Sequence, residues 1–147
     1  MNRTAALLAL LLLAAAAPAL DLGALAGSQS DADGFVFGLS LGSGTVVPLL
    51  KLEFEGTRLP AAGGNALSAA LKLRPKFGAF APYAVLGAGA EFARLNLHFG
   101  DYEFYTFVGG GFHYFLAGMF SLRADLRFLN LPDGGRTRVS GGLFLHL

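Results

Sequence analysis

The chain has 147 residues, a length that fits one domain, and no cysteine, which excludes disulfides and thiolate metal sites. Hydrophobic residues make up 54% and charged residues only 14%, against roughly 25% charged in soluble domains, so an apolar surrounding is expected. Eleven basic side chains stand against ten acidic ones, a balance that excludes the cationic surface of a nucleic-acid binder.

Met1 to Ala19 reads as an export signal. Arg3 gives the cationic start, Ala5 to Ala17 the apolar stretch, and Ala17-Pro18-Ala19 a small-residue exit. Cleavage after Ala19 is expected, because the apolar run falls short of the ~20 residues that span a bilayer as a helix. The mature domain is then residues 20–147. No later window supplies a spanning helix: Phe77 to Ala90 contains Pro82 and three glycines and is bounded by Lys76 and Glu91.

The apolar signal instead repeats every second residue, the period of a strand. Strands are predicted near residues 20–27, 34–42, 45–56, 66–75, 80–93, 102–115, 118–129 and 136–147. In the second, Phe35, Phe37, Leu39 and Leu41 alternate with Val36, Gly38, Ser40 and Gly42. In the third, Leu50, Leu52 and Phe54 alternate with Lys51, Glu53 and Glu55; in the seventh, Phe120 to Phe128 interleaves with Ser121, Arg123, Asp125 and Arg127. The sixth carries the weakest alternation, being aromatic or glycine on both faces. Separators such as Ser28 to Gly34, Pro60 to Asn65 and Pro132-Asp133-Gly134-Gly135 carry turn chemistry. Long and short connections roughly alternate, which predicts an eight-stranded antiparallel up-and-down transmembrane barrel, tight turns and both chain ends on one side.

Taking the apolar phase of each strand as lipid-facing puts Asp21, Lys51, Glu53, Glu55, Lys72, Arg74, Glu91, Arg123, Asp125, Arg127 and Arg138 on the inner face, and no charge on the outer one. A basic side chain at the midplane of the lipid face costs about 2–4 kcal/mol, which fixes that choice for a membrane barrel. Eight strands enclose only enough room for side chains, so this set is expected to plug the lumen as paired charges. Tyr83 and His113 are expected to join it. Its main role is structural filling; a gated path for protons or small solutes is the functional alternative. Glycines 87, 89, 109, 110, 111, 141 and 142 fall inside strands, where they allow curvature and leave room for bulky inward neighbours.

Pro82-Tyr83-Ala84-Val85-Leu86-Gly87-Ala88-Gly89, the polar-alternating run Phe120 to Phe128, and a C-terminus with Ser140, Gly142, Leu145 and Leu147 resemble motifs of the small bacterial outer-membrane barrels. That family includes the OmpA membrane domain, OmpX, OmpW and the opacity-type proteins. The resemblance spans the mature chain and implies outer-membrane location. It also implies an assembly signal at Ser140, Gly142, Leu145 and Leu147, although Leu147 stands where the family usually has an aromatic residue. Outer-membrane lipid and, during biogenesis, the barrel assembly machinery are the implied partners of a monomer; nucleic acid is not.

A non-enzymatic barrel with a structural or surface-contact role is the expected function. Alternatives are a small-solute channel of the OmpW type and a soluble periplasmic barrel holding an apolar ligand, since alternation alone does not distinguish inside from outside. Catalysis on lipid would need a nucleophile and base near the rim. His98, with Arg94, Asp101 and Glu103 as charged neighbours, has no serine within twenty residues. No catalytic residue, cofactor or metal is expected, because His98, His113 and His146 lack ligand spacing.

Overall fold

The computed structural model describes residues 20–30, 34–44, 49–60, 63–93 and 102–147. The expected leader lies outside them, as do Arg94, His98 and Asp101. Eight strands follow in order: β1 Leu20–Gln29, β2 Gly34–Gly44, β3 Leu50–Leu59, β4 Gly64–Leu73, β5 Phe80–Phe92, β6 Tyr102–Ala117, β7 Phe120–Leu131 and β8 Gly134–His146. Each pairs antiparallel with the next, and β8 returns to β1, closing the barrel. Closure leaves no sheet edge, so every strand satisfies its backbone groups without water.

The apolar phase faces out. Leu39 is 70% exposed, while Ser40 beside it is 3%. Phe35, Leu67, Leu86, Phe104, Val108, Phe128 and Leu143 share the outward face. A soluble barrel around an apolar ligand would show the reverse, with leucines in and charges out, and that alternative is corrected by this orientation.

Strand limits differ from those expected at several ends. β3 begins at Leu50, not 45, and continues to Leu59; β4 is shifted to Gly64–Leu73, so that Arg74 follows the strand. The longer β3 places Arg58 on the outward face at the rim, where it pairs in register with Asn65 and donates to its side-chain oxygen at 3.0 Å. The expectation of an outer face without charge fails at that position. Connections do not alternate in length either: the far-side link 132–133 is as short as 118–119 on the terminus side. The link 93–101 is the longest, and most of it lies outside the described residues.

The aromatic and glycine richness that blurred the sixth strand has a cross-strand reason. Tyr83 pairs in register with Gly111, Phe107 with Gly87, and Tyr105 with Gly89. A Cβ on Gly87 would meet the Phe107 ring at 2.5 Å, and one on Gly89 the Tyr105 ring at 2.5 Å. Each inward ring therefore occupies the space its partner leaves empty. A Val, Ile or Leu pattern has no such gaps, so β5 and β6 carry glycine where the rings need floor space.

Candidate functional site

The interior is layered. Lys72, Arg123, Arg127 and Arg138 from β4, β7 and β8 meet Glu53, Glu55 and Asp125 from β3 and β7, each of these residues no more than 4% exposed. Glu53 is the hub. One of its oxygens receives Lys72 Nζ at 2.5 Å and Arg123 Nη1 at 3.0 Å, and the other receives Arg127 Nη2 at 3.0 Å. Arg127 also holds Glu55 at 3.0 Å and Asp125 at 2.8 Å, while Arg123 holds Asp125 at 2.6 Å. Tyr83 enters this lattice by donating its hydroxyl to Asp125 and accepting from Arg123 Nε at 2.8 Å. The Arg127 guanidinium packs 4.9 Å from the Phe107 ring centroid, a stacked cation–aromatic contact. Fork-shaped donors that reach several carboxylates suit arginine better than lysine.

Above the lattice, toward the loop end, the interior turns apolar. Val36, Leu59, Ala66, Tyr105, Phe107, Leu129 and Leu131 form a buried cluster. Polar side chains pass beside this cap. Arg138 lies 3.5 Å from Glu55 and donates to Gln29 Oε1 at 2.9 and 2.7 Å. Gln29 donates to Glu91 at 3.3 Å, and Glu91 pairs with Arg136 at 2.9 Å. Arg136 ends the series on Asp133 at 2.5 Å. The predicted inward set had neither Gln29 nor Arg136, yet both follow the inward phase: Gln29 is eight residues beyond Asp21 along β1, and Arg136 is two before Arg138 along β8.

Toward the chain termini, Asp21 of β1 pairs with Arg74 at 2.9 Å and with His146 Nδ1 at 2.7 Å. His146 Nε2 is 2.7 Å from Ser121 Oγ, which is 2.9 Å from His113 Nδ1. Lys51 sits half-buried at the same mouth. The predicted inner set is thus brought together in three groups: a central lattice, a polar series reaching the loop end through Glu91 and Arg138, and a cluster at the mouth with Lys51 and Arg74. His113 joins the last of these, not the central lattice. His146 and Ser121 were left out of the predicted inner set, although Ser121 stands in the charged phase of the seventh strand, and the contact between them spans 25 residues of sequence. Their signal was the strand phase: Ser121 shares the inward phase with Arg123, and His146 with Phe144.

Asp21, His146 and Ser121 have the connectivity of an acyl-transfer triad. Ser121 is 0% exposed, however, and its oxygen is engaged by both imidazoles. Among the described residues no group of three metal-ligating side chains comes together.

At the C-terminus, Ser140 faces in and is 7% exposed, while Leu147 is 58% exposed. Gly142 sits tightly against β1, where a Cβ would meet the Ala24 carbonyl at 2.4 Å. Leu145 lies opposite Leu22 across the β1–β8 seam.

No family model matches the chain, and no curated protein matches it in sequence. Solved structures match it in shape. The N-terminal β-barrel domain of Pseudomonas aeruginosa OprF aligns with a TM-score of 0.74 at 14% identity, covering 88% of this chain and 97% of that one. The chain has the fold of the small outer-membrane barrels. The Yersinia pestis outer-membrane protein Ail aligns with a TM-score of 0.56 at 15% identity, over 86% of this chain and 99% of that one. The outer-membrane enzyme PagL aligns with a TM-score of 0.55 at 16% identity, over 85% of this chain and 98% of that one. One fold thus carries an enzyme in PagL and an attachment-locus protein in Ail, so function must be argued from side chains.

Proposed function

We propose that this chain is a non-enzymatic barrel of the bacterial outer membrane, exported by residues 1–19, with its termini in the periplasm and its lumen plugged by paired charges. The carrying observation is the central lattice, in which Arg127, Arg138 and Lys72 are fully buried side chains and Arg127 of β7 reaches Glu53 and Glu55 of β3 across the lumen. Opening a path would require taking these charges from their partners, and the apolar cap would still stand above them. Burial of Ser121 supports the non-enzymatic reading, because this nucleophile, which has an oriented base, has no open approach.

The role is then structural or lies in surface contacts made by the loops, as the fold shared with the attachment protein Ail supports. Outer-membrane lipid contacts the leucine and phenylalanine rows. The assembly machinery engages the last strand through Ser140, Gly142, Leu145 and Leu147. Reconstituted in planar bilayers, the folded chain is expected to give no channel events. Stepwise conductance would refute the plug and favour the small-solute channel.

A further inference from the structure

Four side chains from four strands form one chain of hydrogen bonds at the terminus end, Asp21, His146, Ser121 and His113, with Arg74 on the other oxygen of Asp21. Donor and acceptor chemistry fixes its direction. An ionised carboxylate only accepts, so the bond to Asp21 puts a proton on His146 Nδ1, and in the neutral ring Nε2 then carries the lone pair. Ser121 donates its single hydroxyl hydrogen to that lone pair. Its oxygen then accepts from His113, whose proton is on Nδ1. The lone pair left over is at His113 Nε2.

That atom is buried and has no hydrogen-bond partner among the described residues, on a side chain only 1% exposed. A buried acceptor left bare costs about 1–3 kcal/mol, so a donor is required there. The surroundings choose its class. The Tyr83 ring lies 5.6 Å from the imidazole, with Lys72 Nζ held 4.2 Å over the same ring, and the Phe144 ring stands nearly perpendicular to the imidazole at 5.1 Å between centroids. Lys72, Arg74 and Arg123 all direct positive charge at His113. A metal or ammonium ion would be repelled, whereas a neutral donor, water, is accepted.

We infer that Asp21, His146, Ser121 and His113 form a polarised relay that transmits the protonation state of the periplasmic mouth to a water bound at His113 Nε2 inside the sealed lumen. His146 keeps 12% of its side chain exposed and is the member that meets solvent. When it takes one proton from the periplasm, both its nitrogens donate. Ser121 must then turn its hydroxyl to His113 Nδ1, and His113 must exchange its Nδ1 proton for one on Nε2, which donates to the water. The site gains one proton, on His146, and no heavy-atom bond changes. The added charge is placed on His146, whose Nδ1 lies 2.7 Å from the Asp21 carboxylate, which is itself shared with Arg74 at 2.9 Å. A charge on His113 would face Lys72, Arg74 and Arg123, with the His146 ring 5.6 Å away and Tyr83, Phe115 and Phe144 around it and no carboxylate among these neighbours.

Only the assignment of this mouth to the periplasm rests on the proposed topology; the relay is tested without it, in micelles. The full-length barrel carrying His98→Gln, leaving two histidines, is labelled with 15N-histidine, refolded, and followed by ring-nitrogen NMR from about pH 8 to about pH 5, across the histidine range. Both rings are expected in the Nδ1–H form at the high end. As His146 gains its second proton, His113 should stay neutral and change to the Nε2–H form with the same midpoint. Ser121→Ala should leave His146 titrating alone, with the His113 tautomer fixed. A His113 ring that is Nε2–H at the high end, or that keeps one tautomer while His146 titrates, overturns the relay. So does a change of the His113 tautomer that persists in Ser121→Ala. Should that variant fail to refold, seen as loss of the heat-modifiable band, the titration of the parent barrel decides alone.

Discussion

Replacing Glu53 by alanine is expected to destabilise the barrel by about 3–5 kcal/mol, the range for removing one partner of a buried ion pair. The side chain compensates three cations at once, with Lys72, Arg123 and Arg127 all within 3.0 Å of its oxygens. Glu55 and Asp125 already hold Arg127 and Arg123 and have little capacity left for Lys72. Without Glu53 the Lys72 ammonium, 2% exposed, keeps only the face of the Tyr83 ring. Urea unfolding of the barrel in lipid vesicles reads the effect. Glu53→Gln, which keeps shape and acceptor oxygen, should recover part of the loss. A cost below about 1 kcal/mol, the worth of an exposed pair, would mean that the lattice is hydrated and the lumen is not plugged.

The second large effect is on the opposite face. Leu39 lies mid-way along β2 and is 70% exposed. Leu39→Arg is expected to cost about 2–4 kcal/mol in a bilayer, because the guanidinium must enter hydrocarbon or deform the lipid to reach its headgroups. On a surface facing water the same change would stay within about ±0.5 kcal/mol. Unfolding in vesicles therefore distinguishes a lipid-facing Leu39 from one in water, and a neutral result would place this face in solvent.

Period-two alternation made the strands and their inward phase legible, because a strand that meets two different media must alternate. Glu53, Glu55, Arg123, Asp125 and Arg127 could be assigned to one side from spacing alone. Partner choice was hidden. Arg127 and Glu53 are separated by 74 positions and meet only because β3 and β7 stand across the lumen. Strand ends were also hidden, since the turn residues that mark them are short and polar on either reading, and Arg58 and Gln29 were lost there, whereas Arg136 lay within the expected eighth strand and was passed over. The apolar cap shows why counting charges misleads: Tyr105, Phe107 and Leu129 share the inward phase with charged residues, so the lumen is not a uniform ladder. The Gly–aromatic pairs between β5 and β6 looked like noise within each strand and become regular only across the register.

The central claim is that leucine rows face lipid while the charged row is sealed inside. Its most direct measurement uses single cysteines at Leu39 and Ser40, adjacent in sequence and 70% and 3% exposed. Each folded variant is treated in vesicles with a membrane-partitioning thiol fluorophore, and labelled sites are then quenched by brominated lipid. Leu39→Cys should label and be quenched, and Ser40→Cys should stay unlabelled until the barrel is unfolded. Labelling of Ser40→Cys in the folded barrel, or a Leu39→Cys label that water-borne quenchers reach and brominated lipid does not, would contradict the account.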